Sequence, residues 1–317
     1  MENTRQESAT LDAKWRPEST IKARNLCKSY GSFRALDGID LDIPRGAICG
    51  LIGPNGAGKT TALKSLVGLC DSDGELSVIG HDPRVARASL MQDACFIADV
   101  GVLPKSLRCI DVLAYVDDVH PKFNRAKALR FLATTDIDLK KRVKTLSKGM
   151  VTQLHLALVM AIDVELLILD EPTLGLDIIY RQEFYDRLLT QFYDGSQTIV
   201  ISTHQVEEIE SLLSHLIFIS HGKIVFSTEM EALQQRFVEV TVAAESYAAA
   251  DALNPIYTRA TLGGKEYLFE LEAGERGLGD RSRFERLGRV STPSVADVFV
   301  AKLGASHGSF SRRNKND

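Results

Sequence analysis

The sequence lacks the features that mark secreted, disulfide-bonded or membrane-spanning proteins. Nowhere in its 317 residues does an apolar run approach the ~20 residues that a bilayer-crossing helix needs. Its five cysteines are odd in number and form no C-x-x-C pair, so neither a disulfide framework nor a zinc site is indicated. The first nineteen residues hold no apolar stretch of the kind that a signal peptide requires. We therefore expect a protein of the reducing cytosol, and any membrane process that it serves must take its channel from another chain.

The charge balance also lacks a basic excess. The net charge is −4, whereas a nucleic-acid-binding domain usually carries a surplus of lysine and arginine, so we expect no nucleic-acid partner. With 44% hydrophobic and 25% charged residues, the composition is typical of a globular protein. The length predicts one large domain with a smaller one, or two domains of middling size.

Strands and helices alternate along most of the chain. Residues 21–43 are strand-like and punctuated by turns, which predicts an antiparallel β region near the N-terminus. Apolar runs typical of buried strands follow at residues 47–52, 166–169, 198–202 and 216–220, and helical spacing marks residues 60–69 and about 111–160. This alternation predicts an α/β fold with a mainly parallel sheet and helices on both of its faces.

The composition changes beyond Phe237. Residues 238–242 and 267–271 are strand-like, and residues 295–303 have a helical pattern. We interpret residues 237–304 as a small C-terminal α/β region whose function the sequence does not reveal. The terminal segments, residues 1–19 and 305–317, are polar, and we expect both to be disordered tails.

A glycine-rich motif at residues 53–60 fits the phosphate-binding pattern G-x-x-x-x-G-K-[ST] between a predicted strand and a predicted helix. Glycines let backbone N–H groups approach phosphate oxygens, and the helix that follows presents its positive end to the anion. Lys59 should reach the β- and γ-phosphates, and the Thr60 hydroxyl should bind Mg²⁺. We assign nucleotide binding to Gly53, Pro54, Asn55, Gly56, Ala57, Gly58, Lys59, Thr60 and Thr61.

Two acidic residues, Asp170 and Glu171, end one of the predicted buried strands. On its own this pattern is equally typical of a structural strand that ends in a charge at the surface. Ligands of open α/β sheets gather at the carboxyl ends of the strands, where the phosphate motif also lies. The pair therefore predicts a Mg²⁺-organising carboxylate at Asp170 and a water-polarising carboxylate at Glu171.

Further motifs make the assignment specific. Leu146-Ser147-Lys148-Gly149-Met150 precedes a predicted helix, with Ser147 lying 23 residues before Asp170. Together with Glu171-Pro172-Thr173-Leu174-Gly175-Leu176-Asp177 and Ser202-Thr203-His204, this order resembles the ATP-binding-cassette (ABC) ATPases. The resemblance covers about residues 20–236, and it implies a P-loop NTPase core with a helical signature subdomain at about residues 99–160.

The resemblance implies roles for individual residues. Tyr30 would stack on adenine, although a core aromatic is the alternative. Ser147 and Gly149 would bind the γ-phosphate held by the opposite subunit, and Asp177 would help form the contact between the two nucleotide sites. His204 would contact the γ-phosphate and act in catalysis with Glu171, with a structural histidine as its alternative.

The chain departs from the family pattern in two places. Lys148 and Met150 replace the glycine and the glutamine of the usual L-S-G-G-Q signature, so Lys148 adds positive charge near the nucleotide. Asp99 stands where the family places a Mg²⁺-sensing glutamine, and an aspartate oxygen can also bind Mg²⁺. An exposed loop carboxylate without a special role is the alternative for Asp99.

The resemblance implies an ATPase that uses ATP and Mg²⁺ to power a membrane transporter, most similar to bacterial exporters of drugs, peptides or polysaccharides. Its partners would be a second copy of itself and an integral-membrane permease on a separate chain, contacted through residues 99–108. Its place would be the cytoplasmic face of the cell membrane. One alternative is a soluble ABC ATPase that remodels DNA or ribosomes, but the chain has a single cassette and no coiled-coil insertion. The other, a binding-only regulator, is disfavoured by the presence of Glu171 and His204.

Overall fold

Three β-sheets and ten α-helices build the part of the chain that the computed structural model describes, residues 19–98, 103–271 and 278–307. The strands are β1 (Ser19–Tyr30), β2 (Phe33–Pro44), β3 (Ile48–Ile52), β4 (Asp73–Val78), β5 (Ala94–Ile97), β6 (Leu166–Asp170), β7 (Thr198–Thr203), β8 (His215–Ser220), β9 (Lys223–Glu229), β10 (Phe237–Val242), β11 (Tyr257–Thr261), β12 (Gly264–Glu270) and β13 (Gly288–Ser291). The helices are α1 (Lys59–Leu66), α2 (Arg87–Asp93), α3 (Cys109–Val119), α4 (Arg125–Leu132), α5 (Lys148–Met160), α6 (Ile178–Arg187), α7 (Met230–Arg236), α8 (Tyr247–Asp251), α9 (Leu278–Glu285) and α10 (Val295–His307).

The central sheet has six strands in the order β5-β6-β7-β3-β8-β9. Its strands are parallel from β5 to β8, and β9 runs antiparallel to β8. Every residue of β3, β6 and β7 is buried, as expected of strands covered on both faces. The β8–β9 turn has positive φ at His221 (47°) and Gly222 (73°), the requirement of a tight hairpin. The predicted α/β fold with a mainly parallel sheet is confirmed.

The N-terminal sheet is antiparallel, with the order β2-β1-β4. Its inward residues share one apolar core with α1 and with one face of the central sheet. Helix α1 ends at Leu66 and not at residue 69 as predicted, because Gly68 adopts a φ of 65°. A Cβ on Gly68 would also collide with the carbonyl oxygen of Pro83, so only glycine fits this turn.

Helices α3, α4 and α5 cover the other face of the central sheet. Leu113, Phe131 and Leu154 join the largest apolar core together with Leu167 and Ile201 of the sheet. In the described part of the chain, no helix is both long and apolar enough to cross a membrane.

The C-terminal region forms a β-α-β-β-α-β unit in which β10, α8, β11, β12, α9 and β13 follow one another. Its four strands are antiparallel in the order β11-β12-β10-β13, the split β-α-β arrangement. A separate small core forms where Val240, Tyr267 and Phe269 of the sheet meet α8 and α9. The sequence pattern predicts β10, β12 and α10, whereas β11 and β13 are too short and polar to show a clear pattern.

Helix α10 joins this unit to the central sheet. The ring centroid of Phe299 lies 4.8 Å from that of Phe218 in β8. Both boundaries predicted for the polar tails differ slightly from the structure. Ser19 pairs with Pro44 in the N-terminal sheet, and α10 continues to His307, the residue before Gly308. The remaining tail residues, 1–18 and 308–317, lie outside the described part of the chain.

Candidate functional site

Three adjacent parallel strands, β6, β7 and β3, carry the predicted motifs to one edge of the central sheet. Asp170, the last residue of β6, is in register with Ser202, and Thr203 at the end of β7 is in register with Ile52 at the end of β3. The phosphate motif, Glu171 and His204 follow these strands directly. The fold thus brings together the motifs that the sequence analysis assigned to one site.

The phosphate-binding loop, residues 53–60, requires its glycines. Gly58 has a φ of 108°, and a Cβ there would lie 2.7 Å from the carbonyl oxygen of Ala35. A Cβ on Gly53 would collide with the carbonyl oxygen of Ile219. Helix α1 begins at Lys59, directly after Gly58, so the positive end of the helix opens into the glycine-rich part of the loop.

The ammonium group of Lys59 is folded back into this loop. Its side chain is 6% exposed, and Nζ donates to the carbonyl oxygens of Gly53 at 2.7 Å and Pro54 at 3.3 Å. Nζ also lies 3.1 Å from Oε1 of Glu171. A buried charge requires such partners, and a phosphate could replace them at little cost because it offers the same oxygen chemistry.

The Glu171 carboxylate connects Lys59 to His204. Both of its oxygens lie 3.0 Å from Nδ1 of His204. Glu171 and His204 are partly buried, at 19% and 31% side-chain exposure. A carboxylate held between an ammonium and an imidazole, at the mouth of a phosphate-binding loop, is suited to orient a water molecule toward phosphorus.

The backbone of Glu171 is strained. Its φ of 49° is unusual for a residue other than glycine and costs roughly 1–3 kcal/mol. The structure compensates by donating the Glu171 N–H to the carbonyl oxygen and the hydroxyl of Ser202, both at 3.1 Å. The Ser202 hydroxyl in turn donates to Oδ1 of Asp170 at 2.5 Å. The Ser-Thr-His motif is visible in the sequence, but nothing in the sequence indicates this role for Ser202.

Two of the three predicted Mg²⁺ ligands lie in the described part of the chain. Asp170 is buried, with one oxygen bonded to Ser202, and Thr60 is exposed at the start of α1. Asp99, the third predicted ligand, lies outside the described residues. The described chain holds no cluster of three or more His, Cys, Asp or Glu side chains suited to a metal. A few protein oxygens nevertheless fit Mg²⁺, which takes many of its ligands from nucleotide phosphates and water.

Tyr30 lies at the tip of the β1–β2 hairpin and is half-exposed, so it is not a core aromatic. The ammonium of Lys28 lies 5.1 Å from its ring centroid. The second strand of this hairpin, β2, contains Ala35, whose carbonyl oxygen lies close to Gly58 of the phosphate loop. The Tyr30 ring is therefore exposed enough to stack on a ligand.

The signature residues form the start of α5. Ser147 is exposed and caps the helix by accepting a hydrogen bond from the N–H of Met150 at 3.2 Å. Gly149 is buried beneath the ring of Tyr180. Leu146 and Lys148, on either side of Ser147, border a groove of about 390 Å³ whose lining also includes Leu174 and Gly175. Among the described residues that line this groove, none belongs to the phosphate loop.

Asp177 has a structural role within the chain. Its carboxylate caps α6 by accepting hydrogen bonds from the N–H groups of Ile179 and Tyr180, both at 3.1 Å. The two side chains that follow it, Ile178 and Ile179, are 71% and 72% exposed. Large apolar side chains exposed side by side mark a surface suited to a partner.

The sequence of this chain is similar to those of known proteins. The family described as ABC transporter matches residues 36–174 of this chain. The lantibiotic transport ATP-binding protein of Streptococcus pyogenes is 35% identical over 219 residues, which cover 67% of this chain and 91% of that protein. This chain belongs to the ABC transporter ATP-binding proteins. The resemblance expected from the signature and the strand-end motifs is confirmed.

A second relative of this ABC ATP-binding protein extends the similarity along the chain. Nod factor export ATP-binding protein I of Paraburkholderia xenovorans (strain LB400) is 30% identical over 318 residues, covering 91% of this chain and 98% of that protein. A solved structure of the ATP-binding subunit of an ABC transporter superposes with a TM-score of 0.61 at 22% identity, covering 68% of this chain and 92% of that chain. The chain is therefore an ATPase of the ABC family, which hydrolyses ATP to power transport.

Proposed function

We propose that this ABC ATPase drives an exporter as a pair of identical subunits that close around ATP and open after hydrolysis. The observation that carries this proposal is the contact of one carboxylate, Glu171, with both the phosphate-loop ammonium and the imidazole of His204. The arrangement combines a phosphate-binding cation and a water-orienting base at the same strand edge.

The site residues divide the work of hydrolysis. The backbone of residues 53–61 would hold the phosphates, and Lys59 would exchange Glu171 for phosphate oxygens when ATP enters. This exchange would free the Glu171 carboxylate to accept a hydrogen bond from the attacking water, with His204 beside the γ-phosphate. Thr60 and Asp170 would hold Mg²⁺, which neutralises charge on the phosphates when bound.

Two copies would be needed because, within the described part of one chain, the signature residues and the phosphate loop do not line the same groove. Leu146 and Lys148, which flank Ser147, border a groove whose described lining includes no phosphate-loop residue, so Ser147 and Gly149 would act on nucleotide held by the other copy. The exposed side chain of Leu174 lines that groove, and the exposed side chains of Ile178 and Ile179 follow the groove residue Leu176 closely in the sequence. Their burial against a second copy would supply apolar contact area. Asp177, which caps the helix carrying two of them, would hold this surface in shape.

A separate permease would provide the path through the membrane, with this chain bound at the cytoplasmic face. We propose export because the relative that aligns along 98% of its own length, including the C-terminal region, is an export protein by name. We propose the permease contact at residues 99–108, of which 99–102, including Val102, lie outside the described part. Leu103 is half-buried and lines the groove beside Leu146 and Lys148.

Co-purification from membranes tests this proposal. The full chain with an affinity tag should capture one integral-membrane protein, and Leu103→Ser should reduce capture without changing ATP binding. Leu262→Ser is the matched control, because Leu262 is a fully exposed leucine at the β11–β12 turn. Equal capture by the parent and Leu103→Ser would remove residues 99–108 from the interface. Failure to capture any membrane protein would contradict the role in transport through a permease.

A further inference from the structure

Arg181 links the two chain segments that follow Glu171 and His204. It lies in the first turn of α6, and its Nε donates a hydrogen bond to the carbonyl oxygen of Leu176 at 2.7 Å. Its Nη1 donates to Oε1 of Gln205 at 2.7 Å and also to Oε1 of Glu208. One guanidinium therefore holds the backbone of the first segment and two side chains of the second.

The partner of Arg181 on the second segment is itself bonded to the first. Oε2 of Glu208 accepts a hydrogen bond from the Thr173 hydroxyl at 3.3 Å, and Thr173 shares a further hydrogen bond with the Tyr185 hydroxyl at 3.2 Å. Thr173 and Tyr185 are both buried. Arg181 and Glu208 are only 22% and 21% exposed, so solvent screens this pair less than a surface ion pair.

Both segments are anchored close to the proposed catalytic residues. The N–H of Leu174 donates to the carbonyl oxygen of Glu171 at 3.1 Å. Gln205 directly follows His204, and its N–H donates to the Thr203 hydroxyl at 2.9 Å. A shift between the segments would therefore change the 3.0 Å contact between Glu171 and His204.

We propose that Arg181 is a positioning residue that sets the spacing of Glu171 and His204 for ATP hydrolysis. The proposal rests on the proposed function, in which these two residues act on the γ-phosphate and the attacking water. A guanidinium suits this role because its planar fork reaches several acceptors at fixed angles, which a lysine ammonium does not reproduce. The hydrogen bonds of Arg181 go to the two segments, not to the phosphate loop, so its loss should lower the rate of hydrolysis and spare ATP binding.

The test measures kcat and the Kd for ATP of the full chain with Mg²⁺. Arg181→Ala should lower kcat by about 10- to 100-fold, the usual cost of misplacing a reacting group by a fraction of an ångström to an ångström. The Kd for ATP should change by less than about threefold, since phosphate contacts determine it. Arg181→Lys keeps a charge opposite Glu208, so it should fold normally and still show most of the loss in kcat.

Arg187→Ala is the matched control. Arg187 lies on the same helix, its Nη2 is paired with Glu183 at 2.6 Å, and it packs over the ring of Phe131. It should keep the parent kcat. The positioning role is overturned if Arg181→Lys hydrolyses ATP at the parent rate, or if Arg187→Ala loses as much rate as Arg181→Ala.

Glu171→Gln in the same assay separates this inference from the proposed function. If Glu171→Gln retains hydrolysis, the proposed catalytic roles themselves fail, whatever Arg181 does. If Glu171→Gln stops hydrolysis while both Arg181 variants keep the parent kcat, only the positioning role fails.

Discussion

The ring of Tyr180 lies directly on the Cα of Gly149, such that a Cβ built on Gly149 would stand 2.7 Å from Cζ of the tyrosine. A side chain at position 149 would therefore require the Tyr180 ring to move, apart from any effect on the phosphate contact that the family resemblance implies. The contact joins the first turn of α5, which carries the signature residues, to the first turn of α6, which Asp177 caps.

This contact predicts that the effect of Gly149→Ala on the free energy of unfolding depends on whether Tyr180 is present. Gly149→Ala should lower the free energy of unfolding by about 1–3 kcal/mol, because the added methyl overpacks against the tyrosine ring. In a Tyr180→Ala background the same substitution should be neutral or stabilise by up to about 1 kcal/mol, since alanine favours a helix over glycine. Chemical denaturation of the four proteins checks this. Equal destabilisation in both backgrounds would show that the ring is not the obstacle.

Lys59→Ala should weaken ATP binding. Removing a charge-assisted contact to phosphate costs about 1.5–3 kcal/mol, or roughly a 10- to 150-fold rise in the Kd for ATP. Binding of a fluorescent ATP analogue measures this, with Lys64→Ala, a change at the other end of α1, as the control. A Kd equal to that of the parent would contradict the placement of the phosphates beside Lys59.

Lys148 should strengthen ATP-driven dimerisation. Its ammonium extends toward Gly175, across the groove that would face the other copy. In a Glu171→Gln background, Lys148→Ala should weaken the ATP-bound dimer and reduce its sensitivity to salt, because one attraction to phosphate is lost. Lys144→Ala changes a second lysine of the same groove and serves as the control. Identical dimer affinities and salt slopes for Lys148→Ala and its parent would show that the charge of Lys148 does not contribute to dimerisation.

Glu270 should stabilise the attachment of the C-terminal unit. Lys302 on α10 donates to its Oε2 at 2.7 Å, and Arg236 donates to its Oε1 at 2.8 Å. Burial alone would raise the pKa of Glu270, but the hydrogen bonds from Lys302 and Arg236 outweigh it and hold the pKa below its usual value. A depressed carboxyl pKa stabilises the fold above the unfolded pKa, and this contribution is lost as the pH falls through the folded pKa.

Glu270→Gln should therefore lower the melting temperature at neutral pH, and the difference from the parent should shrink as the medium becomes acidic. Thermal melts between pH 7 and the acid range measure the effect. Glu266→Gln is a comparison on the same strand, where Glu266 is paired with Arg259. A difference in melting temperature that does not depend on pH would mean that the charge of Glu270 contributes nothing.

Local chemistry explains what the sequence could predict. Residues 53–60 were identifiable because phosphate binding needs glycines and a lysine at fixed short spacings, and this motif gave a role to the adjacent carboxylates Asp170 and Glu171. The parallel sheet followed from buried apolar runs that alternate with helical segments. These features depend on neighbours within a few positions of the chain.

Features that depend on distant contacts were not predictable. The link from Arg181 to Gln205 spans 24 positions, and it exists because α6 packs beside the segment after β7. The positive φ of Glu171 is unusual for a glutamate. It could not be predicted because Ser202, which stabilises it, lies on another strand. The C-terminal β-α-β-β-α-β unit was only partly visible because β11 and β13 carry mostly exposed or half-buried residues.

The most direct test of the account is ATP hydrolysis by the full chain carrying Glu171→Gln, measured beside its affinity for ATP. The glutamine keeps the size of the side chain but cannot act as a base, so hydrolysis should fall by at least about 100-fold. The Kd for ATP should stay within about threefold of the parent value, because the phosphate loop and Lys59 are unchanged. Hydrolysis near the parent rate would contradict the assignment of Glu171 as the catalytic carboxylate.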